Sequence, residues 1–143
     1  MKRRRRTEIL IQGEPTLAEQ LAKSITANYN IQEIIAPRYG LTMIKMRESA
    51  KSTLFYMGEV LITEAKIEVE NNIGIGIIVG MEDALARNLA IIDAAYKANL
   101  PETVTWKETL LLAEDEIKKS RAKKQEKLFE TKVDFQTMDV GNL

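Results

Sequence analysis

Four carboxylates, Glu59, Glu64, Glu68 and Glu70, lie close together in the middle of the chain. Clustered carboxylates can hold Mg²⁺ through oxygen ligands or divide acid and base roles. Here Glu64, Glu68 and Glu70 share the even positions of an alternating run with Lys66 among them, the pattern of a solvated sheet face. Gly74, Gly76 and Gly80 precede a helical pattern and invite comparison with a dinucleotide loop. That motif needs its glycines in the strand-to-helix turn. Ile77-Ile78-Val79 continues the strand instead, so Gly74 and Gly76 mark a close backbone approach. The stretch 118–127 carries six basic residues and one acid, a pattern that could meet phosphates but also fits a solvated helix face. Sheet-based RNA binding needs aromatics on alternate positions, and Phe55 and Tyr56 are adjacent.

Composition narrows the chemistry further. The chain has 143 residues, no cysteine, no histidine, and 21 basic against 21 acidic side chains. Without cysteine there is no disulfide, thiolate nucleophile, iron–sulfur ligation or Cys-based zinc site. Without histidine the commonest general base near neutral pH and the commonest metal ligand are missing. A binding or assembly subunit is expected over a self-contained enzyme. The Met1–Arg6 start is followed by only three apolar residues before Gln12-Gly13, so no export signal is expected. No apolar run is long enough to span a membrane. A cytoplasmic protein follows as the expectation, with residues 1–12 a partly flexible start and the arginines solvated.

These residues need elements to position them. Residues 3–12 read as a weak helix stopped by Gly13 and Pro15. Thr16-Leu17-Ala18-Glu19 fits a capping box opening a helix over 17–27, with Leu21 and Ile25 on its apolar stripe. Strand patterns cover 31–35, 41–47 and 53–57, with Gly58 marking a bulge or turn. Residues 60–70 alternate most strictly, Leu61, Thr63, Ala65, Ile67 and Val69 opposing the glutamates. Asn71-Asn72 closes a hairpin to 73–79, where Ile73, Ile75, Ile77 and Val79 share a face. Short connections predict an antiparallel meander of four to five strands. A helix from Glu82–Asp83 to Asn99 follows, with Leu85, Leu89, Ile92 and Tyr96 in a stripe flanked by alanines small enough to lie close on a sheet. Thr105-Trp106-Lys107-Glu108 reads as a second capping box, opening a helix to about residue 130. The tail 131–143 alternates Val133, Phe135 and Thr137 and is expected to be extended, adding a strand to its own sheet or to a partner's. The class is α+β: N-terminal helices, the sheet, two C-terminal helices and a strand-like tail, in one domain spanning 1–143.

Four segments in order carry a resemblance: Tyr56-Met57-Gly58-Glu59-Val60-Leu61-Ile62-Thr63-Glu64-Ala65, the Gly74–Gly80 stretch, Arg87 to Ala95 with Asp93, and Lys132-Val133-Asp134-Phe135-Gln136-Thr137-Met138. Together they resemble the PhnG subunit family of the bacterial carbon–phosphorus lyase core complex. The resemblance implies a role beside PhnI, PhnH and PhnL. These partners transfer an alkylphosphonate to C1′ of ATP with loss of adenine, and the Fe–S subunit PhnJ later cleaves the C–P bond. ATP and alkylphosphonate would be substrates of the complex, with no cofactor or metal bound by this chain alone. Gly58, Thr63 and Asp93 fall on the family pattern as structural positions. Asp134, Phe135, Thr137 and Met138 would dock the tail on a partner. Glu59 and Glu64 are the carboxylates to reach a substrate cavity if any do. Self-association is also open. The alternative reading is a small α+β nucleic-acid-binding module using 118–127 and Arg3–Arg6; neither a membrane nor nucleic acid is the partner the resemblance implies.

Overall fold

The computed structural model describes residues 1–47 and 54–141, with side chains described for 1–45 and 58–128. Helices α1 (Arg3–Gln12) and α2 (Pro15–Asn28) lead into strands β1 (Ile31–Arg47), β2 (Leu54–Val69) and β3 (Asn72–Val79). Helices α3 (Asp83–Lys97) and α4 (Pro101–Gly141) follow. The sheet is antiparallel in the order β1-β2-β3. The α+β class holds, with three strands among the described residues rather than four to five.

The difference lies in two interruptions that did not end strands. Pro37 sits in an edge strand, where its missing N–H costs no ladder bond, and register shifts beside it let 31–35 and 41–47 run on as one strand. Gly58, at φ 147°, lies beside a further shift: Ile44 pairs Gly58 while Lys45 pairs Tyr56. The bulge expected there is present, and it bends β2 without breaking it. The β2–β3 turn centres on Glu70 and Asn71, both at positive φ, one residue earlier than the sequence pattern suggested.

Helix α3 is the centre of the molecule. It packs on the sheet's inner face, where Thr63, Ala65, Ile67, Val69 and Ile78 are buried, and α2 covers it from the other side with Ala18, Leu21, Ala22 and Ile25. Ala86, Ala90 and Ala94 let the helix touch β3 backbone. A Cβ at Gly74 would stand 2.0 Å from the Ala90 carbonyl oxygen, and one at Gly76 the same distance from that of Ala86. The core face of β3 is therefore Gly74, Gly76 and Ile78, and Ile73, Ile77 and Val79 look outward, exposed. Two residues past the end of α3, Asn99 at φ 52° lets the Leu100 amide reach back to the Ala95 carbonyl.

Neither capping box forms. Pro15 occupies the first turn of α2 and Pro101 opens α4, because a fixed φ and no N–H suit that position. Thr105 instead bonds the Glu102 carbonyl within α4. α4 runs for 41 residues, and at 1.5 Å per residue is about 60 Å long. Trp106 and Leu110 anchor its base, and residues 118–128 are all exposed. The backbone of 131–141 continues this helix, so the extended tail is corrected to helical: nothing in the sheet pairs with it, and helical propagation from α4 costs little.

Candidate functional site

The most connected polar group is Asp93, on the α3 face turned to the edge of β3. Its Oδ1 accepts from Arg6 Nη2 at 3.1 Å and faces Arg3 Nε at 3.2 Å. Its Oδ2 accepts the Ile75 amide at 3.0 Å and faces Lys97 Nζ at 3.3 Å. Lys97 also donates to the Ile73 carbonyl. Ile73 and Ile75 turn these backbone groups away from β2, so Asp93 and Lys97 occupy hydrogen-bonding positions that an added strand would use.

Arg6 is the second buried member. It is 7% exposed, stacks over Tyr96 at 4.0 Å from the ring centroid, and Tyr96 packs edge-on against Trp106. Burial pulls its guanidinium below the ordinary arginine range, and Asp93 opposes that shift. Of the four arginines Arg6 is buried and Arg3 and Arg5 are exposed but ion-paired within the fold, whereas Arg4 is solvated as expected. Arg5 forms a two-pronged pair with Glu114 of α4 at 2.6 and 2.8 Å, holding that carboxyl below the usual carboxylate range. Sequence reading missed Arg6, although its spacing to Ile9 and Leu10 puts all three on one helical face.

Thr63 is fully buried under the β3–α3 turn. Its hydroxyl donates to the Gly80 carbonyl at 2.6 Å and accepts the Glu82 amide at 3.0 Å. Gly80 makes that turn at φ 96°. Thr63 and Asp93 therefore hold opposite ends of β3 to α3. Glu59 and Glu64 do not come together: five residues apart on a regular stretch of β2, they project to opposite faces. Glu59 is exposed, and Glu64 is half-buried beside Arg38 at 3.4 Å. Gly58 carries no neighbour where a Cβ would stand, and its positive φ explains the glycine.

Among the described residues no group of three or more acidic side chains is arranged to hold a metal. An open cleft of about 800 Å³ separates the α1–α2 corner from α4, with Leu17, Ala113 and Ile117 on its floor and Arg121 and Lys124 on its rim. Arg121 donates to Gln12 Oε1 across it at 2.6 Å. The side chains of Asp134, Phe135, Thr137 and Met138 lie outside those described. What this arrangement does is fasten: among the described residues the most buried carboxylate, Asp93, is saturated by four partners, and the others are scattered.

Comparison with curated proteins finds no match. The family model described as phosphonate metabolism protein PhnG matches residues 1–141. The match covers Thr63 and Asp93, whose clamps on β3 give the glycine-bearing strand its place, and essentially all of the fold around them. The chain belongs to the PhnG family of phosphonate metabolism proteins.

Proposed function

We propose that this chain is a subunit of the carbon–phosphorus lyase core complex, working in the cytoplasm beside PhnI, PhnH and PhnL, with PhnJ acting afterwards. The complex joins an alkylphosphonate oxygen to C1′ of ATP. The C1′–N9 bond breaks, adenine leaves, and α-D-ribose 1-alkylphosphonate 5-triphosphate forms. In this reading the chain supports the transfer and does not carry it out alone. The supporting observation is the separation of Glu59 and Glu64 onto opposite faces of β2, together with an Asp93 already engaged by four partners. General acid–base catalysis needs groups converging within hydrogen-bond reach of one substrate atom. A sheet on which α3 is, among the described residues, the main packing helix, and a helix standing clear beyond Ile117, suit a subunit that completes its surfaces on other chains.

The nucleic-acid alternative loses part of its basis, because Arg3, Arg5 and Arg6 face Asp93 and Glu114 within the fold. It is left with 118–127. The test is direct. The purified chain mixed with ATP and methylphosphonate should release no adenine, and co-expressed PhnI should copurify with it. Adenine release by the chain alone, or no association with PhnI, would refute the division of labour.

A further inference from the structure

Helix α4 gives one face to the body and leaves the opposite face bare. Trp106, Leu110, Ala113 and Ile117 turn toward the core. At about 100° per residue, positions 104, 108, 111, 115, 118, 122 and 125 fall on the other side. All seven are exposed, Val104 at 77% and Leu111 at 39%. Their spacing alternates four and three, which is the period of a seam between two helices.

This row is complementary to its own reverse. When α4 is set antiparallel to a second α4 about a point between Glu116 and Ile117, Asp115 of one copy meets Lys118 of the other. Leu111 then meets Ala122, and Glu108 meets Gln125. The layers join opposite charges, a large side chain with a small one, and a carboxylate acceptor with an amide donor. In the sequence the same row continues to Phe129, at the position opposite Val104. A parallel pair in register would instead set Asp115 on Asp115 and Lys118 on Lys118. Within the chain, Asp115 reaches Lys119 at 3.4 Å and Lys118 reaches Glu114 at 3.8 Å. Both are exposed contacts one turn apart, worth little and able to admit a further partner. Glu108 and Gln125 have no hydrogen bond or ion pair among the described residues.

We propose that the outer face of α4, from Val104 to Gln125, is the seam of an antiparallel homodimer with its two-fold axis between Glu116 and Ile117. The apolar layers supply the burial, and the polar layers fix direction and register at some cost in affinity. The two bodies stand at opposite ends of the seam, each on the inner face of its own α4. Residues beyond 130 lie outside the seam, and the dimer does not depend on the lyase assignment.

The test uses the full chain in solution. Sedimentation equilibrium should show monomers associating into dimers and nothing larger, because a two-fold contact uses the same patch on both copies. Asp115→Lys and Lys118→Asp each place like charges in both central layers, and each should weaken association at least about tenfold. Mixed in equal amounts, the two variants restore opposite charges in both layers and should associate as the unaltered chain does. That rescue also shows that both are folded. The chain has no cysteine, so a short thiol crosslinker reads the direction. Bismaleimidoethane should join Leu111→Cys to Ala122→Cys in a mixture and neither variant to itself. A chain that stays monomeric to about 1 mM would overturn the proposal. So would a dimer that the charge reversals leave intact, a mixture that fails to restore association, or crosslinking of either cysteine variant to itself.

Discussion

Asp93 sets most of the polar architecture, and its environment makes a sharp prediction. The Arg6 guanidinium beside it is desolvated, and an unpaired buried cation is costly. Asp93→Asn should lower unfolding free energy by about 3–5 kcal/mol, the range for breaking a buried ion pair from one side, measured by urea denaturation. A stability unchanged by the substitution would show that the clamp is not structural. Thr63→Val should cost about 1–3 kcal/mol, because it leaves the Glu82 amide and the Gly80 carbonyl without their partner. Glu114 gives a pH prediction. Its folded carboxyl is held low by the Arg5 hydrogen bond, so the stabilising charge is complete above the ordinary glutamate range of about 4.3 and is lost as pH falls through the lower folded value. In an NMR titration the Glu114 midpoint should lie below that of ordinary glutamates, and Arg5→Ala should return it upward. At this scale the sequence was partly readable. Thr63 and Asp93 stood out by resemblance, but their partners did not, because Arg6 meets Asp93 across 87 positions and no local pattern signals a pairing so distant.

The elements were legible where periodicity was uninterrupted and misread where a breaker was taken at face value. Strict alternation over 60–70 located β2's core face, and the alanine flanks of α3 anticipated its close seat on the sheet. The glycines in β3 were read as close approach, and the structure bears this out through backbone contacts no side chain could share. What periodicity could not give was which face of β3 is buried. An isoleucine row looks like a core, yet the helix takes the glycine side. Pro37 suggested a strand end that an edge position tolerates, and Gly58, read as a bulge or turn, is the bulge, which β2 runs through without ending. Pro15 and Pro101 outcompeted the capping boxes because both boxes lay inside helices already begun, Thr16 one residue and Thr105 four residues past the opening proline. A substitution series checks the packing: Gly74→Ala and Gly76→Ala should each lower the melting temperature strongly, with a cost at or above the usual overpacking range of about 1–3 kcal/mol. Gly40→Ala, with nothing within 4 Å of its added methyl, should leave the melt almost unmoved.

The whole molecule is a helix-centred body with two projections, the β1–β2 ribbon and α4. The body accounts for the buried core, and the exposed part of α4 beyond Ile117 adds little to it. Truncation after Glu130 should therefore leave thermal unfolding nearly unchanged while weakening copurification with PhnI. An unaltered complex would remove the docking role from Asp134, Phe135, Thr137 and Met138. The projections, the saturated Asp93 and the scattered carboxylates fit a chain whose contribution appears only in company. The most direct measurement is an omission experiment. PhnI, PhnH and PhnL are combined with ATP and methylphosphonate, with and without this chain, and adenine and α-D-ribose 1-methylphosphonate 5-triphosphate are quantified. The account predicts product only when the chain is present and none from the chain alone. Equal product without it, or turnover by the chain in isolation, would contradict the account.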